Sequence, residues 1–241
     1  MSGRTDRQMS KITGIGHDTV AKYNYVRDNA ERLDEADIIQ AMLVERGYEE
    51  DGKINKMTIS RAYNKLKQKE RQEELRHKGY PLNKYEVIYV DSEPSGWNLT
   101  RKHPVKEMSK HNAILFLWST EDEIKQAMDT MEQWGFKHER CCIWKHNEIE
   151  EFHGFETCHD ILLIGSKGDF HHMCPRNKLV LFPSLFHQDK GEGYQRPKEY
   201  KQIIHKLYPD LVKVDLIGDN TTEGWENYNQ EENAKKLISS T

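Results

Sequence analysis

The sequence predicts an α/β protein: a doubly wound, mostly parallel sheet behind a small all-α N-terminal region. Three observations carry that prediction. After residue 84, short apolar β-rich runs alternate with helical stretches, the pattern of β-α-β units. One of those runs, NAILFLW at 112–118, is apolar throughout after its Asn, as in a strand covered on both faces. Before residue 80 the readable periodicity is helical.

The chain has 241 residues, a length suited to one or two domains. Hydrophobic residues make up 36% and the formal charge is −4, so the chain is polar and nearly balanced. The charge is unevenly placed: residues 1–84 carry 17 basic and 14 acidic side chains, the remainder 19 and 26. A basic-leaning segment (1–80) and an acidic globular body (84–241) are the expected domains. Residues 61–78, RAYNKLKQKERQEELRHK, read as a solvated helical linker between them. No apolar run approaches the roughly 18–20 residues of a membrane span, so no membrane partner is expected. The N-terminus has no apolar signal region. Four cysteines in a chain this long do not make a disulfide scaffold. Cys141, Cys142, Cys158 and Cys174 with His153, His159, His171 and His172 show no CxxC spacing, and no metal is expected.

In the N-terminal segment, Thr5 and Gln8 fit a capping box, which predicts a short helix ending near Thr13. Gly14 supplies a tight turn, and Ile15 is expected to plug the space between two helices. A second helix is expected over 17–30, with Val20, Tyr23 and Val26 inward. His17, Thr19, Lys22 and Asn24 are left outward as candidate DNA-contacting residues. This is the spacing of a helix-turn-helix that enters the major groove with its second helix. The alternative is a helical hairpin that only packs. A further amphipathic helix is expected over 34–47, with Ile38, Ile39, Met42 and Leu43 as core.

In the body, strands are expected at 85–91, 112–118, 139–144, 160–165, 178–183 and 211–218. Thr120 and Glu123 suggest a capping box before a helix with Ala127, Met128 and Met131 inward. Pro197 opens a helix with Ile203, Ile204 and Leu207 inward. Ligands of such sheets sit beyond the carboxyl ends of the strands. Asp91 follows the first of these strands, and Pro94 and Trp97 lie in the loop after it. Lys145 and His146 follow another strand and are candidates to meet phosphate. A glycine-rich phosphate loop is absent, which argues against a typical dehydrogenase or NTPase.

The blocks VIYVD with a following Pro and Trp, AILFLWST, MEQWGFKHERCCIWK, HDILLIGSKGD, RPKEYKQIIHKLYP and GWENYNQE stand in that order over about 85–231. Together they resemble the adenine amino-methyltransferase family that includes the catalytic subunit of the mRNA adenosine methylase and many bacterial and phage DNA methylases. The N-terminal segment, with KINKMTISRAYNKLK at 53–67, resembles the part of bacterial and phage proteins that joins a partition-protein-like helix-turn-helix to such a methyltransferase. The resemblance implies a Rossmann-like, S-adenosylmethionine-dependent methyltransferase fold and methyl transfer to the exocyclic amine of adenine. It places catalysis at Asp91, Pro94 and Trp97, and cofactor contacts at Asp91, Arg196, Asn229 and Gln230. S-adenosylmethionine is the implied cofactor and DNA the implied partner.

The chain departs from the family at four places. Ser92 and Glu93 follow Asp91 where the family has two prolines. Either Pro94 and Trp97 substitute in a remodelled loop, or the catalytic geometry is lost. Arg196 stands where the family has Lys, and Asp219 where it has Arg. Asp160 stands where the family often has Glu. These changes favour a catalytically impaired homologue, a DNA-binding or partner subunit. Such a subunit forms a homodimer, or a heterodimer with an active methyltransferase. The alternative is an active S-adenosylmethionine-dependent DNA adenine methyltransferase with a divergent motif. A third, weaker reading is a regulator that senses S-adenosylmethionine. The expected compartment is the cytoplasm of a bacterium or phage-infected host, or the nucleus of a eukaryote.

Overall fold

The computed structural model describes residues 2–43, 47–50, 53–91, 100, 103–152, 154–169, 182–190, 196–216 and 222–228. The chain divides into two compact units, Met1–Lys78 and Gly79–Thr241.

The first unit opens with α1 (Ser2–Thr13) and α2 (His17–Asn29). Gly14, at φ +69°, turns the chain between them. Hydroxyls close this turn: Ser10 Oγ donates to the Ile15 carbonyl at 2.6 Å, and Thr13 Oγ accepts from the Ile15 N–H at 3.3 Å. Ile15 is therefore not the expected plug; it is 48% exposed. Helix α1 starts at Ser2, so Thr5 lies inside it and does not cap it. Val20 and Val26 face inward, but Tyr23 is exposed, because the core stripe of α2 continues from Val26 to Ala30 and Leu33.

The helix expected over 34–47 is shorter. It is α3 (Asp37–Leu43), followed by an antiparallel hairpin of β1 (Gly47–Glu50) and β2 (Lys53–Lys56). The region is thus not all-α. The sequence between the strands is Asp51-Gly52, a favoured hairpin pair that helical periodicity obscured. Then α4 (Ile59–His77) begins at Thr58, whose hydroxyl accepts from the Arg61 N–H at 3.2 Å. Helix α4 is not a solvated linker. Ala62 and Leu66 are fully buried against Val26, Ala30, Leu33 and Ile38, so α4 closes one side of this unit's core.

The second unit holds β3 (Tyr85–Val90), α5 (Val105–Met108), β4 (Ser109–Ser119), α6 (Ile124–Gln133), β5 (Lys137–Phe152) and β6 (Phe155–Lys167). Then come β7 (Leu185–His187), α7 (Lys198–Leu207), β8 (Lys213–Asp215) and β9 (Glu226–Asn227). Their order is β7-β5-β6-β4-β3-β8-β9. The sheet is mixed rather than mostly parallel: β6 is antiparallel to both β4 and β5. The cause is local. β5 and β6 pair up to Phe152 and Phe155, with Gly154 at φ +84° between them, and a connection this short permits only antiparallel return.

Strand β4 is buried from Ala113 to Ser119, as its apolar run requires. Alternate residues Ile114, Phe116 and Trp118 join Val87 and Tyr89 of β3, and α7 covers them with Tyr200 and Ile204. Trp118, Trp134 and Trp144 are packing residues. Helix α6 starts after Glu123, so Thr120 is not its N-cap. It buries Ala127 and Met131 but leaves Met128 42% exposed. Of the strand expected at 178–183, residues 178–181 lie outside the described residues.

Candidate functional site

Strand β3 lies inside the sheet of the second unit. β4 lies on one side of it and β8 on the other, both parallel to it. The chain order therefore reverses at β3, which creates a crevice beyond the carboxyl ends of β3 and β8. The residues there are charged. Asp91 follows Val90 directly as the chain leaves the ladder, and Asp215 ends β8.

Arg196 enters the crevice from the segment before α7. Its Nε donates to Asp91 Oδ1 at 3.2 Å, and its NH1 donates to Asp160 Oδ2 on β6. The guanidinium also lies 4.8 Å from the Trp118 ring and 5.7 Å from that of Trp144. Cation–π attraction and two carboxylates thus fix a side chain that is only 2% exposed. Beside this group, Lys201 of α7 donates to Asp215 Oδ2, and its Nζ lies 5.0 Å from the Tyr89 ring. Tyr89 OH accepts from Trp118 Nε1 at 2.5 Å.

The electrostatics follow from this count. Three carboxyl groups, Asp91, Asp160 and Asp215, face two cations. His146 Nε2 is 3.6 Å from Asp160, too long for a hydrogen bond, and burial lowers the His146 pKa, which favours the neutral ring. The excess negative charge falls on Asp91. Burial pushes its carboxyl up to about 6; Arg196 opposes the shift and Asp215 adds to it. Burial, with Asp91 nearby, also raises Tyr89 well above the ordinary phenol range.

Two of the residues singled out in the sequence, Asp91 and Arg196, are thus in direct contact. Pro94, Trp97, Asn229 and Gln230, with Asp219, lie outside the described residues. His146 is buried and does not face outward to phosphate. Lys145 is exposed on β5. On α2, His17 is exposed, and Thr19, Lys22 and Asn24 are half-buried. Lys22 and Asn24 line an open groove of about 480 Å³ between α2 and α4, together with Tyr25, Tyr63 and Lys67. Sequence reasoning missed Lys201 and Asp215. The signal was there: an acid inside the apolar run LVKVDLIG, and a lysine on the apolar face of α7.

The fold is of the Rossmann-like methyltransferase class. The MT-A70 family profile matches residues 81–231, and the chain belongs to that family. Its members generally use S-adenosylmethionine. The chain is also similar to a type II methyltransferase, M.MunI, of Mycoplasma sp, with 23% identity over 128 residues. That match covers 53% of this chain, which spans about half, 54%, of the relative. The described residues do not fit the cofactor's carboxylate in this arrangement. Arg196, the residue that the family resemblance assigns to that carboxylate, already bridges Asp91 and Asp160. Among the described residues, no helix is long and apolar enough to cross a membrane.

Proposed function

We propose that this protein is a DNA-binding MT-A70 homologue whose methyl-transfer centre is catalytically impaired, and that it works as a binding or partner subunit. The observation that carries this is the Arg196 bridge. An adenine amino-methyltransferase needs an acceptor for the amine and a cation for the cofactor's carboxylate, both available to ligand. Here Arg196 and Asp91 satisfy each other. Breaking a buried pair of this kind costs roughly 3–5 kcal/mol, a loss of about two to four decades in ligand affinity. The Ser92-Glu93 sequence after Asp91 adds an acid where the family holds two rigid prolines.

DNA binding is assigned to the first unit. The α1–Gly14–α2 arrangement presents His17 at the start of α2, with Thr19, Lys22 and Asn24 along it. A homodimer, or a heterodimer with an active methyltransferase, is the assembly in which such a subunit contributes.

A second reading, an active enzyme with a divergent motif, draws on Asp91 itself, which keeps its place at the end of β3. Calorimetry with millimolar S-adenosylmethionine and a methyl-transfer assay on adenine-containing DNA separate the two. The proposal expects no transfer. Transfer that Asp91→Ala abolishes would replace it with the second reading.

A further inference from the structure

The three outer strands β7, β5 and β6 place Lys145 between two histidines. Lys145 is the register partner of His187 on β7 and of His159 on β6. Register partners share a face of the sheet, and neighbouring strands lie about 4.8 Å apart. The three side chains therefore form one row about 10 Å long. The preceding pairs, Trp144 with Asp160 and with Phe186, point to the opposite face. Helix α6 packs on the same face as the row, but further along β6, where Met131 meets Gly165. The row lies past that cover. Lys145 and His187 are exposed and His159 is half-buried.

The charge at this row is unusual for its surroundings. The residues from 85 onward are acidic on balance, with 26 acids against 19 bases. Yet among the described residues neither Lys145, His159 nor His187 makes an ion pair or a side-chain hydrogen bond. Nearby, Lys190 pairs with Glu148 at 2.6 Å, whereas Glu121, which accepts from the neutral Thr157 hydroxyl at 3.2 Å, keeps its charge, as does Asp189 beyond His187. Glu150 and Glu151 lie beyond the register shift that follows Lys145, toward the hairpin tip.

We infer that this row is a phosphate-contact strip for the DNA backbone, an inference that rests on the DNA-binding reading above. Successive phosphates of one DNA strand rise about 3.4 Å along the axis but lie further apart along the winding backbone, so a row of about 10 Å is on the scale of neighbouring phosphates. Lysine and imidazole N–H groups are phosphate donors that position a duplex without reading its sequence.

A salt series of binding to double-stranded DNA tests this on the full chain. The proteins compared are wild type, Lys145→Gln, Lys145→Arg, the pair His159→Gln/His187→Gln, and Lys22→Gln as a control in the first unit. Lys145→Gln is expected to weaken binding equally for unrelated sequences and to lower the slope of log affinity on log salt by about 1. Lys145→Arg keeps the wild-type slope, and the histidine pair weakens binding several-fold. A Lys145→Gln slope equal to wild type overturns the strip. If Lys22→Gln still weakens binding in that case, the DNA-binding reading survives without it. A wild-type protein that binds no DNA removes both.

Discussion

The Nε–H of Arg196 reaches Oδ1 of Asp91 across 3.2 Å, joining positions 105 residues apart in the chain. One residue follows the interior strand β3; the other precedes α7. Between them they span the crevice in which this fold receives its ligand. Asp160 takes the other side of the guanidinium, so the bridge ties β3, β6 and the approach to α7 into one charged knot. The proposed loss of catalysis and the structural tie have the same origin: a cation committed to the protein's own carboxylates.

The knot should be felt in stability. Arg196→Met removes the cation and leaves Asp91 and Asp160 without their shared partner. Unfolding in urea should show a loss of about 3–5 kcal/mol, because the uncompensated charges remain. A loss below about 1 kcal/mol would mean that solvent already screens the cluster. Arg196→Lys should recover part of the stability but not all, since an ammonium lacks the planar fork that serves both Asp91 and Asp160.

Asp91 also sets a pH dependence. Its folded pKa is raised, by burial first, from 3.8 to about 6. Between those values the folded state holds a proton that the unfolded chain releases. Stability from this group is therefore complete at low pH and lost as pH rises from about 4 to about 6. The full effect is at most about 3 kcal/mol. Comparing wild type with Asp91→Asn across this window isolates it. The variant should lose this downward slope; an identical slope in both would place the titration elsewhere.

The parts of the sheet legible in the sequence were those where one physical rule acts alone. The NAILFLW run became a strand buried on both faces because nothing but burial dictates it. Gly14 became a left-handed turn because no other residue there takes φ +69° so readily. Asp91 and Arg196 were singled out separately, but their contact was not foreseen, since a distance between side chains 105 positions apart has no periodicity. The failures came where two signals overlapped. Residues 61–78 look solvated by composition, yet three or four apolar residues at helical spacing suffice to bury one face of α4. The 34–47 segment carries helical periodicity up to a Gly, and that periodicity masks the hairpin signal of the Asp51-Gly52 sequence. Long hairpins such as β5–β6 look like separate parallel strands when only their apolar centres are read.

The core role of α4 is itself testable. Leu66 is fully buried against Val26, Leu33 and Ile38 in the first unit. Leu66→Ala should destabilise that unit by about 2–5 kcal/mol, whereas a linker residue would give no change. Amide exchange on α2 read alongside unfolding would locate the loss: protection there should fall, because α2 shares the core with α4.

Two glycines with the same backbone sign should respond differently to alanine. Gly154, at φ +84°, sits at the β5–β6 turn, and a Cβ there would meet nothing within 4 Å. Gly154→Ala should therefore cost only the left-handed strain, about 1–2 kcal/mol. Gly168, at φ +72°, follows β6, and a Cβ there would lie 2.5 Å from the backbone oxygen of His111. The same neighbourhood holds the Asp169 N–H on the Asn112 side-chain oxygen at 2.9 Å. A methyl at 168 must displace main chain as well as adopt the strained φ, so Gly168→Ala should be the more destabilising of the two. Thermal unfolding of both variants beside wild type measures the difference, and equal shifts would show that the β4–β6 edge at His111 yields freely.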